Sequence, residues 1–147
     1  MIRLDPYLNF NGQCREAFKF YEQVLGGKIE FMGTFGESPM AAECPPGTLD
    51  HIMHVSLKVG SCTLMGSDAP AGTFAQPQGL YVSINVDEPA EADRIFNALA
   101  EGGNVQMPIE KTFWAERFGM MVDRFGTPWM VNCTGSMAAV ESGAPAA

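Results

Sequence analysis

Two separated stretches of this chain repeat the same pattern of residues, and this repeat constrains the fold more than any other feature. Residues 7–29 and 81–105 each begin with a strand pattern, continue through a helical pattern and end near a Gly-Gly pair. The helical residues align at a constant offset: Ala17, Phe20, Tyr21 and Val24 match Ala92, Ile95, Phe96 and Leu99. A repeat that is neither a solenoid nor a heptad predicts two fused half-domains that meet at a pseudo-twofold axis, where a ligand cleft is expected.

Each half is predicted to run strand, helix, strand, strand, strand. Apolar spacing in the first half predicts a helix over residues 13–25 and strands over residues 3–10, 28–34, 50–59 and 61–67. The second half predicts a helix from an Asp87 N-cap to about residue 101, and strands over residues 80–86, 104–109, 114–122 and 128–132. The fold class is therefore α+β, with two βαβββ modules.

Proline and glycine mark the connections between these elements. Residues 35–49 form a loop long enough for a lid or a dimer contact, and residues 68–79 form a linker between the modules. The modules span residues 2–67 and 80–134 of a single domain covering residues 1–134. Residues 135–147 are rich in Gly, Ala, Ser and Pro, which is typical of a disordered tail.

Composition excludes several kinds of partner. The net charge is −8 and the nine Lys and Arg residues are scattered, which argues against nucleic acid. The sequence has no apolar signal core and no segment long enough to span a bilayer, so we expect a cytoplasmic protein without a membrane partner. The four cysteines show no Cys-x-x-Cys spacing, and we interpret them as small buried hydrophobic residues rather than disulfides.

Alternation along residues 52–59 predicts which side chains of that strand face the helix. Met53, Val55, Leu57 and Val59 form the apolar set, whereas Ile52, His54, Ser56 and Lys58 form a mixed set. The apolar set is expected to face the helix and the mixed set to face a solvated cleft.

Three further motifs carry a resemblance to a known family. They are Pro-Tyr-Leu-Asn-Phe at residues 6–10, Thr-Phe-Trp-Ala-Glu-Arg-Phe-Gly at 112–119 and Val-Asp-Arg-Phe-Gly-Thr-Pro-Trp at 122–129. With the repeat, they resemble the PhnB-like branch of the vicinal oxygen chelate superfamily, which includes glyoxalase I, fosfomycin-resistance proteins, extradiol dioxygenases and bleomycin-binding proteins. The resemblance covers residues 2–134 and implies mixed, curved sheets around a cleft.

The resemblance does not imply one reaction. Some relatives in this branch carry a label of ubiquinone-precursor methyltransferase. This chain has no Asp/Glu-x-Gly-x-Gly loop after a strand to hold S-adenosylmethionine, and its pattern does not predict a parallel sheet.

Metal-dependent members of the superfamily take His or Glu ligands from the first and last strands of each module. The matching positions here are Pro6 or Tyr7, Met65, Gln78 or Gly79, and Met130, none of which is His, Asp, Glu or Cys. His51 and His54 lie three residues apart on a predicted strand, so they face opposite sides and cannot share an ion. We therefore expect no cofactor, with a divalent metal as the disfavoured alternative.

Two residues are candidates for catalysis. His54 lies on the mixed strand face, and imidazole suits proton transfer near neutral pH; the alternative is a solvated or hydrogen-bonded histidine. Arg117 lies among aromatics and could bind a carboxylate or phosphonate at two points. Its alternative role is an ion pair with Glu116, Asp123 or a second copy of the chain.

Candidate ligand-binding residues are Trp114, Glu116, Trp129, Met65 and Met130. Either tryptophan could stack on a planar ligand or could serve only in packing. Glu43 and Glu116 could also act as general bases. Cys62 and Asp123 are interpreted as structural, with residues 123–126 forming a hairpin turn.

Three functional hypotheses remain open. The leading one is metal-independent binding of a small amphipathic molecule in the cleft between the modules. The second is an isomerase, lyase or transferase that is metal-dependent or uses His54 and Arg117. The third is a structural or regulatory dimer whose cleft is filled by its own side chains. A homodimer is expected in each case, because pairing is common among soluble proteins and in this fold.

Overall fold

The computed structural model describes residues 1–135 of the 147-residue chain. These residues form two compact units, the first spanning Met1–Gln76 and the second beginning at Pro77. The boundary falls inside the predicted linker at residues 68–79. The predicted disordered tail lies outside the described residues, apart from Gly135.

The first unit is a four-stranded mixed sheet with one helix packed against it. In chain order its elements are β1 (Tyr7–Phe10), α1 (Cys14–Leu25), β2 (Lys28–Thr34), β3 (Ile52–Val59) and β4 (Cys62–Asp68). The strands are ordered β1-β4-β3-β2, with β1 parallel to β4 and the other pairs antiparallel. The buried residues of α1 recur mostly every three or four positions, and two of them, Phe18 and Tyr21, pack against Phe10 of the sheet.

The second unit repeats this design. Its elements are β5 (Val82–Asn85), α2 (Pro89–Ala100), β6 (Asn104–Glu110), β7 (Arg117–Val122) and β8 (Pro128–Cys133). The strand order β5-β8-β7-β6 and its single parallel pair match those of the first unit. The predicted α+β class and the two βαβββ modules are therefore confirmed.

Several predicted boundaries were wrong by a few residues. β1 begins at Tyr7 rather than residue 3, since Pro6 has no N–H to donate to a ladder. β7 begins at Arg117 rather than residue 114, because the Thr112 N–H donates to the Ala115 carbonyl (2.9 Å) and closes a turn there. The N-cap of α2 is Glu88 rather than Asp87.

The predicted loop at residues 35–49 contains two short 3₁₀ helices, Phe35–Glu37 and Ala41–Glu43. The first begins with a capping box, in which the Thr34 hydroxyl accepts from the Glu37 N–H (3.2 Å) and the Glu37 carboxylate accepts from the Thr34 N–H (3.1 Å). The segment therefore has its own local structure.

Ile52 was expected on the solvated side of β3, and this was wrong because the side chain is fully buried. The pairing of β3 with β2 explains the difference. Consecutive β2 residues Gly33 and Thr34 pair with His54 and Ile52, so Met53 is an extra residue. Such a bulge interrupts the alternation of faces. The simple period of two therefore fails for the residues before His54, at the start of β3.

A buried carboxylate in the first unit joins the β1–α1 turn to the start of β3. Asp68 accepts the backbone N–H groups of Gly12 (2.8 Å) and Cys14 (3.0 Å) on Oδ1 and that of Ile52 (2.8 Å) on Oδ2. Its side chain is only 1% exposed. Three donors replace the water that the carboxylate loses on burial.

The second unit has its own buried carboxylate at a different place, in the turn between β7 and β8. Asp123 accepts the N–H groups of Phe125 (2.9 Å) and Thr127 (3.0 Å) and the indole N–H of Trp129 (2.8 Å). The predicted structural role of Asp123 in this hairpin is confirmed.

The helix-facing surfaces of the two sheets use glycine in complementary positions. In the first unit Val55 pairs with Gly66, and in the second Gly119 pairs with Val131. A Cβ atom on Gly66 would lie 2.6 Å from the Phe18 ring of α1, and one on Gly119 would lie 2.6 Å from the Phe96 ring of α2. Each glycine therefore makes room for one helix aromatic.

Candidate functional site

The face of the first sheet that points away from α1 carries the strongest cluster of candidate side chains. We call the set Tyr7, Phe31, His54, Ser56 and Met65 the first open face. Their strand neighbours Leu8, Val55, Leu57 and Leu64 are buried on the helix side, so alternation places this set on the other side. Strand pairing brings Tyr7 beside Met65, Met65 beside Ser56, and Ser56 beside Phe31.

Tyr7 and His54 form a hydrogen-bonded aromatic pair at the centre of this face. The Tyr7 hydroxyl lies 3.1 Å from His54 Nδ1, and the two rings stack with centroids 5.7 Å apart. The Phe31 ring also neighbours the imidazole, with 6.0 Å between the two ring centroids. Because Tyr7 is 48% and Phe31 52% exposed, their rings are accessible to a ligand.

This pair can present either a donor or an acceptor to a bound molecule. When the tyrosine O–H donates to Nδ1, Nε2 carries the imidazole proton and can donate it to a ligand. When Nδ1–H of the neutral imidazole instead donates to the tyrosine oxygen, Nε2 is unprotonated and can accept a hydrogen bond from a ligand. A polar atom placed between two exposed aromatic rings suits a planar amphipathic molecule.

The second sheet has a corresponding open face with different chemistry. Strand register matches Ser83 to Tyr7, because Ser83 pairs with Met130 as Tyr7 pairs with Met65. Register likewise matches Met120 to Ser56, and places Phe118 where the first unit has His54. Ser83, Phe118, Met120 and Met130 therefore form a largely apolar second open face.

Trp114 adjoins this second open face. Its ring packs edge-on against Phe118 (5.3 Å) and Phe113 (4.8 Å), and Phe113 is almost fully exposed. Together with Met130, Trp114 remains available for ligand contact. The predicted roles of Met65, Met130 and Trp114 therefore stay predictions that the geometry allows.

Trp129 and Arg117 have different surroundings from those that their predicted roles require. Trp129 is only 1% exposed and its indole N–H is bonded to Asp123, so its ring faces the core and cannot stack on a ligand. Arg117 donates to Asp93 of α2 (3.1 Å) and to the Glu116 carbonyl (2.7 Å), which places it on the helix side of its sheet. Its partner is thus neither the Glu116 carboxylate nor Asp123.

Glu116 and Glu43 lie outside the strands. Glu116 precedes β7, with its N–H donating to the Cys133 carbonyl (2.9 Å), and Glu43 ends the second 3₁₀ helix. The cysteine interpretation was wrong in part: Cys14 and Cys133 are buried, but Cys62 is exposed and Cys44 is partly exposed.

The positions matched to the metal ligands of the superfamily hold unsuitable donors. Register places Ser83 rather than Gln78 or Gly79 at the β5 position, and the others are Tyr7, Met65 and Met130. Two thioethers, a phenol and a hydroxyl do not fit a divalent first-row ion. Among residues 1–135, no group of three or more His, Cys, Asp and Glu side chains could hold a metal. Metal independence stays a prediction.

Tyr7 and Phe31 were missed as ligand-contact residues. The sequence predicts Tyr7 only as a position matched to a metal ligand, and it predicts no role for Phe31. The alternation of β1, with Leu8 and Phe10 inward, would have placed Tyr7 outward. The irregular pairing of β2 between Ile29 and Phe31 hid the orientation of Phe31 from a simple period of two.

The paired βαβββ modules give this chain the glyoxalase/bleomycin-resistance fold, which is the fold of the vicinal oxygen chelate proteins. Residues 3–132 match the family described as 3-demethylubiquinone-9 3-methyltransferase. The chain belongs to this family, and because the PhnB-like branch carries this label, the PhnB-like resemblance is confirmed.

Known proteins similar to this chain agree with that assignment. Protein YjdN of Escherichia coli K12 is 34% identical over 137 residues, covering 88% of this chain and 93% of YjdN. The crystal structure of PA1353 from Pseudomonas aeruginosa is 54% identical, with a TM-score of 0.84, covering 92% of this chain and 99% of that one. A glyoxylase/bleomycin resistance protein/dioxygenase domain from Frankia sp. EAN1pec has a TM-score of 0.61 at 13% identity over 91% of this chain and 98% of that one, which shows the fold alone.

Proposed function

We propose that the protein binds a small, planar, amphipathic molecule on the first open face, without using a metal. The observation that carries this proposal is the Tyr7–His54 pair, with 3.1 Å between the hydroxyl and Nδ1 on an exposed aromatic surface. A polar pair of this kind in solvent gives little stability, whereas it would fix the orientation of a stacked ligand.

The chemistry of the face limits the class of ligand. Phe31 on β2 and Met65 on β4 supply apolar surface on the same face as the polar pair, and methionine adapts to irregular shapes. The ligand is therefore expected to combine a flat apolar ring with one hydrogen-bonding group, as in phenols, aryl amides and aryl carboxylates.

A binding screen in metal-free buffer tests this proposal. Phenols, aryl amides and aryl carboxylates are screened by thermal shift, and each hit is measured by calorimetry. A hit should stabilise the protein by about 2.7 kcal/mol at a hundred times its Kd. Tyr7→Phe should weaken binding about 3- to 10-fold through one lost hydrogen bond, and His54→Phe should weaken it about 10-fold or more.

Tyr81→Phe is the matched control. It also removes a tyrosine hydroxyl, one that donates to Gln106 (2.7 Å) in the second unit. This variant should bind each hit as the unchanged protein does. Hits that keep full affinity in both Tyr7→Phe and His54→Phe, or a screen without hits, would contradict the proposal.

The second candidate function is catalysis by proton transfer through the same pair. It is favoured by the contact between the Tyr7 hydroxyl and the imidazole, since a phenol and a histidine can together move a proton to or from a ligand. Each binding hit is incubated with the protein and followed by mass spectrometry. Turnover that disappears in His54→Ala, and not in Arg117→Ala, would establish this function instead of binding alone.

Methyl transfer, which the family description names, is not part of this proposal. The strand-to-helix turns are Asn11-Gly12-Gln13 and Val86-Asp87-Glu88, and neither is a Gly-rich loop of the kind that holds S-adenosylmethionine. Incubation with S-adenosylmethionine and a catechol acceptor should therefore yield no methylated product.

A homodimer in the cytoplasm belongs to the same proposal. The apolar side chains of Ile2, Leu4, Leu80 and Phe113 are exposed in the single chain, which suits burial against a second copy. No helix among the described residues is long and apolar enough to cross a bilayer. Light scattering coupled to size exclusion should give twice the 15.9 kDa mass of the chain, and a monomeric mass would contradict the dimer.

A further inference from the structure

The first unit contains a cavity that does not involve the first open face. Its volume is about 380 Å³, and it lies between the loop at residues 35–50 and the segment that follows β4. Apolar walls come from Phe35, Met40, Pro45 and Pro70, whereas Asn11, Glu43, Thr48 and His51 contribute polar atoms. Small-molecule sites have volumes of roughly 300 to 1,000 Å³, so the cavity can hold a compact ligand.

The loop wall of this cavity is held by its own hydrogen bonds. The Phe35 N–H donates to the His51 carbonyl (3.0 Å), and the Gly36 N–H donates to the Leu49 carbonyl (2.8 Å). The His51 N–H in turn donates to the Thr48 carbonyl (3.1 Å). The two ends of the loop are thus joined, and a ligand need not order them on binding.

The opposite wall is fixed by the buried carboxylate of Asp68. Asp68 binds the N–H of Gly12 next to Asn11 and that of Ile52 next to His51, while the Ala69 N–H donates to the Phe10 carbonyl (2.8 Å). The segments around Asn11, His51 and Ala69, which form this wall, are therefore each tied to β1, β3 or β4. The cavity is a preformed site rather than a gap under a loose loop.

The polar side chains that line the cavity are available to a ligand. Within the described residues, the side chains of Asn11, Glu43 and His51 make no hydrogen bond, whereas the Thr48 hydroxyl donates to the Pro45 carbonyl. Among residues 1–135, no Lys or Arg lines the cavity, and Glu43 is the one carboxylate that does. In a chain of net charge −8, this environment favours a cation over an anion.

We infer that this cavity is a second binding site, for a compact arylalkyl ammonium ion. The aryl group would lie among Phe35, Met40 and Pro45, and the ammonium group would lie toward Glu43 and the amide oxygen of Asn11. The inference goes beyond the proposed function, because none of these residues belongs to the first open face.

Phenethylammonium is the probe for this site. Its Kd is measured by NMR titration on ¹⁵N-labelled protein, alongside phenylacetate and 2-phenylethanol as anionic and neutral probes of similar shape. The amine should bind about 5-fold or more tightly than either, which corresponds to one partly exposed ion pair. Shift changes should be confined to residue 11 and to residues 35–51 and 69–72, the segments that line the cavity.

Three variants separate the cavity from other sites. Glu43→Gln should weaken the amine about 5-fold, and Ala71→Phe, which places a ring in the cavity from an exposed loop position, should weaken it about 10-fold or more. Glu101→Gln removes the same charge from an exposed position after α2 and should leave the Kd unchanged. Circular dichroism checks that Ala71→Phe is folded, and the shift map of the unchanged protein tests the site independently of that variant.

Several results would overturn the inference. They are equal affinity for phenylacetate, unchanged affinity in Glu43→Gln, and no binding at about 10 mM amine, which is weaker than a fragment site of this size should allow. Shift changes centred on Tyr7 and His54 would also overturn it, and would support the first open face instead. Loss of binding of the phenol, amide or carboxylate hits in Tyr7→Phe and His54→Phe bears only on the proposed function.

Discussion

The two units share a scaffold, but they differ at matching positions of their open faces. The first unit has a hydrogen-bonded Tyr7–His54 pair, and register places Ser83 and Phe118 at the same positions of the second. The helix-facing surfaces are apolar in both. Folding thus constrains the side of each sheet that packs on its helix, whereas the other side is free to acquire a ligand-binding chemistry in one unit only.

The buried carboxylates show a second difference between the units. Asp68 joins three separate segments of the first unit, whereas Asp123 acts within a single hairpin of the second. Each carboxylate accepts three N–H groups: three backbone groups at Asp68, and two backbone groups and the Trp129 indole at Asp123. Asp68 is the last residue of β4, whereas Asp123 lies in the turn that leads into β8, the matching strand of the second unit. Buried N–H groups are thus satisfied at opposite ends of these two strands.

Removal of these carboxylates should have the largest effect. Asp68→Ala and Asp123→Ala should each lower the free energy of unfolding by about 3 to 5 kcal/mol, because three buried N–H groups lose a charged acceptor. Urea unfolding followed by circular dichroism measures the change. Similar losses would show that Asp123, which acts within one hairpin, stabilises its unit as much as Asp68, which joins distant segments. A loss below about 1 kcal/mol in either variant would contradict the role assigned to that carboxylate.

The paired glycines should have the next largest effect. Gly66→Ala and Gly119→Ala should each cost about 1 to 3 kcal/mol, since the new Cβ overlaps Phe18 in the first unit and Phe96 in the second. Double-mutant cycles sharpen the comparison. Phe18→Leu should recover part of the cost of Gly66→Ala, yet be additive with Gly119→Ala, and recovery of both would refute the assigned contacts.

The buried thiols, one in each unit, should differ from the others in reactivity. Burial, followed by the negative charge of Asp68, raises the pKa of Cys14, and burial followed by Glu116 raises the pKa of Cys133. Mass spectrometry after iodoacetamide treatment of the native protein should find Cys44 and Cys62 modified, and Cys14 and Cys133 unmodified. Rapid labelling of Cys14 would show that α1 opens readily.

The same shifts predict a direction for stability at alkaline pH. A raised pKa keeps the folded thiol protonated, while the unfolded thiol ionises near its ordinary value of 9.0. Stability from this source is complete below about pH 9 and is lost as the pH rises further. Cys14→Ala should reduce that alkaline loss, and an unchanged pH dependence would contradict the burial of this thiol.

The ion pair between Arg117 and Asp93 should have the smallest effect. Both side chains are partly exposed, so Asp93→Ala should cost less than about 1 kcal/mol, and salt should reduce the difference further. Urea unfolding at low and high salt measures it. A ligand of the first open face should bind Asp93→Ala with unchanged affinity, and a loss of binding would restore Arg117 as a site residue.

Local sequence signals predicted most of the fold. Neighbouring residues alone set the helical spacing of α1 and α2 and the Gly-Gly stops, and the repeat is the same set of local patterns written twice. The predicted bounds of β2 are those that the structure has. The candidate site was predicted less completely. His54 and Met65 were found, but the pairing of β1 with β4 that brings Tyr7 to this face joins residues nearly sixty positions apart.

The sequence by itself determined the two βαβββ modules, the helix-facing cores and the family, because periodicity and turn chemistry act over a few residues. Only the tertiary structure decided which side chains meet: His54 with Tyr7 and Phe31, Arg117 with Asp93, and Trp129 with Asp123. The physical reason is that bulges and strand register set these contacts. Both depend on packing between distant segments, which no local pattern encodes.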